Sequence, residues 1–334
     1  MPADMRTRLG PVDLPNPVLA AAGCAGAGRE LAQFLDVARI GAIISKSIMT
    51  EPRTGNPAPR LAETPSGLLN SVGLQGPGID AFLQRDLPWL LGRGARVVVS
   101  VAGQTVREYG ALASRLSDAP GVSAVEINLS CPNAEEAGRL FALDPATAGA
   151  VVAAVRGSLR RDIPVFAKLA PDVTDIVALA GACITAGADG LSLVNALLGL
   201  VIDPARLRPA LAGTFGGLSG PAVRPVAVRC VWQVAEAFPE VPIIGTGGVR
   251  TGRDALEFLL AGAAAVAVGT AILHDPSACS RVARELEEEL AAIGADRVAD
   301  VIGQAHGAHG AHGARGRALG GLTNGPGGAG RRTG

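Results

Sequence analysis

A chain of 334 residues in which 48% are hydrophobic and 18% charged has ample apolar material for a large core and too little charge to stay unfolded. Lys plus Arg number 30 and Asp plus Glu number 30, so no net field exists to attract nucleic acid or an anionic membrane. The longest apolar runs, such as residues 261–268, fall far short of the roughly 20 needed to span a bilayer, and the first residues carry no leader pattern, so a cytoplasmic protein is expected.

Taken in chain order, residues 6–17 read as two short extended pieces on either side of Gly10-Pro11, a β-hairpin closing a barrel floor. Aliphatic and β-branched runs then recur at 18–21, 42–45, 97–101, 124–129, 165–169, 190–194, 241–245 and 265–269. Amphipathic stretches fall among them, at 107–116, 145–159, 176–186, 223–238 and 253–261, with apolar residues at three- and four-residue spacing. Such alternation requires parallel strands joined by crossover helices. Eight units close naturally into a (β/α)8 barrel, with a doubly wound sheet as the alternative.

Between the second and third strands, residues 49–78 are crowded with proline and glycine and read as a long irregular loop, which in a compact domain is usually functional. The far end, 303–334, is Gly, Ala, Arg and His in low-complexity order and reads as a disordered tail behind a catalytic barrel of residues 1–302. Its His306, His309 and His312 recur every third residue, which we read as compositional drift, so no metal site is assigned. The five cysteines are scattered without a C-x-x-C pair, so any iron–sulfur cluster belongs to another chain. Four of them read as small buried apolar residues.

In such a barrel, catalytic groups sit at the C-terminal ends of strands. Strand two ends at Lys46, strand four at Asn128 followed by Ser130-Cys131-Pro132-Asn133, strand five at Lys168 and strand six at Asn195. Two lysines and several carboxamides at one mouth are not explained by packing. Gly245-Thr246-Gly247-Gly248 and Gly269-Thr270 follow strands seven and eight, the usual phosphate site of these barrels. Glu126 lies within its strand and His274 lies past the last one, which leaves the Cys131 thiol as the best proton acceptor. Nearby lysine and amides are expected to lower its pKa.

The segments GNPAPR at 55–60, SGLLNSVGLQ at 66–75, EINLSCPN at 126–133, KLAPDVTD at 168–175 and GGLSGP at 216–221 resemble those of class 1 dihydroorotate dehydrogenases, most closely the NAD-linked branch. The resemblance spans about residues 9–295. It implies a flavoprotein that binds FMN and oxidises dihydroorotate to orotate, with Cys131 as the base. Lys46, Ser47, Asn128, Lys168, Val194, Gly220, Gly247, Gly248, Gly269 and Thr270 would contact FMN. Lys46, Asn70, Ser71, Val72, Gly73, Leu74, Asn128, Asn133 and Asn195 would contact the substrate, and the charge of Lys168 would support the reduced flavin.

The implied partners are a subunit carrying FAD and an iron–sulfur cluster, in a homodimer or heterotetramer, with fumarate as the alternative acceptor. Ala22, Ser100 and Ala196 depart from the pattern, where a serine, an asparagine and a hydroxyl residue are usual. The loss at Ala196 keeps open an enzyme resembling dihydropyrimidine dehydrogenase that acts on uracil or thymine. From the residues alone, a Schiff-base aldolase using Lys46 or Lys168 and a non-catalytic phosphate-binding barrel also stay open.

Overall fold

The computed structural model describes residues 2–131 and 140–307. The chain opens with the hairpin β1 (Thr7–Leu9) and β2 (Val12–Leu14), paired antiparallel through a turn at Gly10 with φ 60°. Next come β3 (Val18–Ala20), β4 (Ile43–Ile44), β5 (Leu61–Thr64), β6 (Gly67–Asn70), the short helices α1 (Gly78–Ala81) and α2 (Leu87–Gly92), and β7 (Val97–Val101). Helix α3 (Val106–Ser117), β8 (Val122–Asn128), α4 (Pro145–Ser158), β9 (Val165–Leu169), α5 (Ile176–Thr185) and β10 (Gly190–Leu193) follow. The short strands β11 (Leu197–Gly199), β12 (Ile202–Asp203), β13 (Arg208–Pro209) and β14 (Gly216–Ser219) precede α6 (Arg224–Ala237). The chain then runs through β15 (Ile243–Thr246), α7 (Gly252–Leu260), β16 (Ala265–Val268), α8 (Ala271–His274) and α9 (Ala278–Ala292).

Strands β3, β4, β7, β8, β9, β10, β15 and β16 pair in parallel, in chain order, and close on themselves as the expected eight-stranded barrel. Capping side chains start its helices where the sequence supplies them. Asp144 accepts from Thr147 N ahead of α4, Asp175 accepts from Val177 N and Ala178 N at α5, and Thr251 with Asp254 forms a capping box at α7.

Because side chains alternate along a strand, inward positions form layers inside the barrel. The lowest layer is apolar: Leu19, Val98, Ala124, Phe166, Ile244 and Ala265 pack with Leu9 and Leu14 of the hairpin, which closes the floor. Two residues further along, the inward positions turn polar. Ser100, Glu126, Lys168, Ser192 and Thr246 are all buried there.

The segment read as a long irregular loop is not irregular throughout. Within it β5 and β6 form an antiparallel hairpin, β6 pairs with β14, and β14 pairs with β11 in a separate four-stranded sheet. The tail boundary expected at 302 also shifts. Residues 304–307 form a helical turn, and the His306 ring stacks on Trp232 with centroids 3.8 Å apart. Residues 308–334, with His309 and His312, lie outside the described residues.

Candidate active site

The C-terminal ends of the barrel strands open into a cavity of about 640 Å³, walled on one side by the four-stranded sheet. Lys46, Ser47, Asn128, Cys131, Lys168, Val194 and Asn195 all line it. So do Asn70, Ser71, Val72, Gly73 and Leu74 from the excursion, and Gly220, Gly247, Gly248, Gly269 and Thr270 from the phosphate-site segments. Asn133 falls outside the described residues. Residues scattered over the sequence thus share one wall because each follows the end of a strand or belongs to the added sheet.

A chain of hydrogen bonds ties the strand ends together. Asn195 Nδ2 donates to Asn128 Oδ1 at 3.0 Å, and Asn128 Nδ2 donates to Ser47 Oγ at 3.1 Å. The Ser47 and Ser100 hydroxyls are 3.0 Å apart, so the serine standing where an asparagine is usual completes this chain. Asn195 Oδ1 also accepts from Ala196 N at 2.9 Å. Fixed at both ends of their amide groups, Asn128 and Asn195 hold their orientation before any ligand arrives. Ala22 and Ala196 line the cavity without a side-chain polar group.

Cys131 sits at the edge of this network, only 2% exposed. The expected lowering of its thiol pKa does not occur. Burial pushes it up to about 11, outweighing the hydrogen bond from Tyr109 and the charges of Arg53 and Lys46. The Tyr109 hydroxyl, from α3, donates to the Asn128 main-chain oxygen at 2.6 Å and lies within hydrogen-bonding reach of the Cys131 sulfur. Phe141 packs edge-on against the Tyr109 ring at 5.5 Å and donates its main-chain N–H to Cys131 O at 3.2 Å. The thiol is therefore held in a dry, aromatic-backed niche.

Burial pulls the Lys46 ammonium below the usual lysine range, with Cys24 opposing and Lys168 adding to the effect. Lys168 Nζ is 3.6 Å from Glu126 Oε1 in the polar layer beneath the cavity. Glu126, passed over as a within-strand residue, points inward and lines the site. Its signal was a charged residue in an otherwise apolar strand, two positions before Asn128. Cys24, read as a packing cysteine, also lines the cavity and is only half-buried, whereas Cys183, Cys230 and Cys279 are buried as expected. Tyr109 and Arg53 carry no such signal in the sequence, whereas Thr246 lies in the phosphate-site segment and lines the cavity. Tyr109 lay in a helix with no mark beyond being the chain's single tyrosine.

These residues fit FMN. Gly220, Gly247 and Gly248 have φ of 95°, 134° and 77°, which L side chains rarely adopt, and a Cβ on Gly247 or Gly248 would come within 2.8 Å of α6 side chains. The backbone beyond β15 thus packs tightly on α6 while its other face meets the cavity. In the cavity wall, Ser130 Oγ and Thr246 Oγ1 are buried with no hydrogen-bond partner among the described residues. Such groups each cost about 1–3 kcal/mol when left unmet, so the cavity is built for a ligand with many polar atoms.

The chain matches the family model for dihydroorotate dehydrogenase over residues 5–290. It is 53% identical over 293 residues to the dihydroorotate dehydrogenase B (NAD(+)) catalytic subunit of Desulforudis audaxviator, covering 88% of this chain and 94% of the relative. Proteins of the same name match at 49% over 300 residues in Geobacter sp. strain M21 and 48% over 303 residues in Pelobacter propionicus. Those alignments cover 90% and 91% of this chain, and 97% and 99% of the relatives.

Proposed function

Given that the chain belongs to the dihydroorotate dehydrogenase family, we propose that it is the catalytic subunit of an NAD-linked enzyme oxidising (S)-dihydroorotate to orotate in pyrimidine synthesis. Bound FMN would supply the hydride acceptor for C6 of the substrate. Cys131 takes the proton from C5. Asn128 and Asn195, locked by their mutual bond and by Ser47, orient the substrate, and residues 70–74 with Lys46 enclose it. Asn133 joins them in this reading. Val194, Gly220, Gly247, Gly248, Gly269 and Thr270, with Ser47, hold the cofactor, and Lys168 offers a positive charge where reduction adds a negative one.

The electrons leave through a second subunit carrying FAD and an iron–sulfur cluster, in keeping with the catalytic-subunit names of the relatives and a chain without a cluster motif. The assembly is a homodimer or a heterotetramer. Among the described residues no helix is long and apolar enough to cross a membrane. Five free cysteines support a reducing cytoplasmic setting. The family assignment removes the aldolase reading.

The observation that carries the proposal is the single cavity in which a buried thiol, a preset carboxamide pair and two lysines converge. Anaerobic mixing of the FMN-loaded protein with dihydroorotate should bleach the flavin, whereas uracil and thymine should not. Cys131→Ala should keep its FMN and lose roughly 100-fold to 10,000-fold in reduction rate, the usual worth of a general base. Bleaching by uracil but not by dihydroorotate would transfer the assignment to the pyrimidine reductases, a reading that Ala196 alone favours.

A further inference from the structure

Beneath the cavity lies a carboxylate to which the proposed reaction gives no task. Glu126 points inward from β8 with 0% exposure, and among the described residues neither of its oxygens accepts a hydrogen bond. Its ion-pair partner among the described residues is Lys168 on the adjacent β9, Nζ to Oε1 3.6 Å, with the lysine side chain only 7% exposed. The register explains the meeting, since Lys168 stands opposite Asn128, two residues beyond Glu126 on the same face. The same polar layer holds the buried hydroxyls of Ser100, Ser192 and Thr246. Either charge alone in this layer carries a desolvation penalty of several kcal/mol, and each offsets that of the other.

We propose that Glu126 is a positioning residue for Lys168: the buried pair fixes the lysine head group in the cavity floor, and Glu126 thereby sets the reduction potential of bound FMN through Lys168. This rests on the reading of Lys168 as the cofactor-facing lysine. Without the carboxylate, the buried lysine loses the partner that holds it at this depth and withdraws from the cavity floor. The negative charge added by reduction then loses its support, and the potential falls.

The test is a spectroelectrochemical titration of the FMN-loaded enzyme, without substrate, for wild type, Glu126→Gln, Lys168→Met and the double variant. Lys168→Met should lower the equilibrium constant for flavin reduction. Glu126→Gln should lower it at least 10-fold, which is about 30 mV for a two-electron couple. In the Lys168→Met background the same Glu126→Gln change should move it less than about 2-fold, because the effect travels through the lysine.

An unmoved potential in Glu126→Gln, an upward shift, or an equal shift in both backgrounds would overturn the proposal while leaving Lys168 in its assigned place. An unmoved potential in Lys168→Met would remove that assignment and the proposal with it. If Glu126→Gln fails to fold, adding Lys168→Met should restore folding by deleting the stranded charge, and failure to do so would also count against the pairing.

Discussion

At the scale of single residues, the tension lies between the burial of Cys131 and the thiolate that base catalysis requires. A thiol held at about 11 is almost wholly protonated near neutrality, and among the groups that pull it down Tyr109 acts most strongly. With Cys131 as the base, the sign follows: the thiolate fraction, and with it the rate of flavin reduction by dihydroorotate, should rise with pH from neutral toward that value. Tyr109→Phe removes the hydroxyl that pulls the thiol down, so the thiolate becomes rarer at every pH. Stopped-flow reduction should then be severalfold slower at neutral pH, with the profile displaced to higher pH. Superimposable profiles would show that Tyr109 only packs.

At the scale of elements, the barrel depends on close approach in its lowest layer. Gly190 begins β10, and a Cβ there would overlap the ring of Phe166 and come within 2.8 Å of Pro242 O. Both neighbours are fixed, one a fully buried ring and the other main chain, so neither can yield. Gly190→Ala should destabilise the barrel by about 1–3 kcal/mol, read as a lower midpoint in denaturant with an unchanged slope. A midpoint equal to that of wild type would mean the floor is looser than drawn.

The same layer shows why the barrel was legible before the structure. Parallel strands buried on both faces are short, nearly unbroken apolar runs, and Val97–Val101 or Ala265–Val268 can hardly be read otherwise. The hairpin Leu61–Thr64 and Gly67–Asn70 had no such mark. It is half-exposed, and its stabilising partner Gly216–Ser219 lies far along the chain. The site divides in the same way. Lys46, Asn128 and Asn195 announce themselves by ending apolar runs, whereas Glu126 was hidden inside one. The dryness around Cys131 depends on Tyr109 and Phe141, which only folding brings together.

At the scale of the whole molecule, the two ends of the described chain are stitched to the barrel and to each other. Asp4 N donates to Asp296 O at 2.8 Å, and Val298 N donates to Asp4 O at 2.9 Å. Beyond this clasp the chain crosses to the outer helices, where Gly303 N donates to Leu259 O at 2.9 Å and the His306 ring bonds Ala261 O at 3.0 Å while stacking on Trp232. Trp232 belongs to α6, the helix whose Ala227 and Arg224 press against Gly247 and Gly248. The turn at 304–307 therefore braces the helix behind the proposed phosphate site from its outer side. A ring pair of this kind contributes about 0.5–1.5 kcal/mol and the hydrogen bond about 1 more. A chain ending at Ile302 should thus melt measurably below one ending at Gly307, and His306→Ala in the full chain should reproduce most of that loss. Flavin reduction by dihydroorotate should be alike in all three, because the brace touches no residue that lines the cavity. Identical melting of the two truncated chains would show that the turn rests on the barrel without holding it.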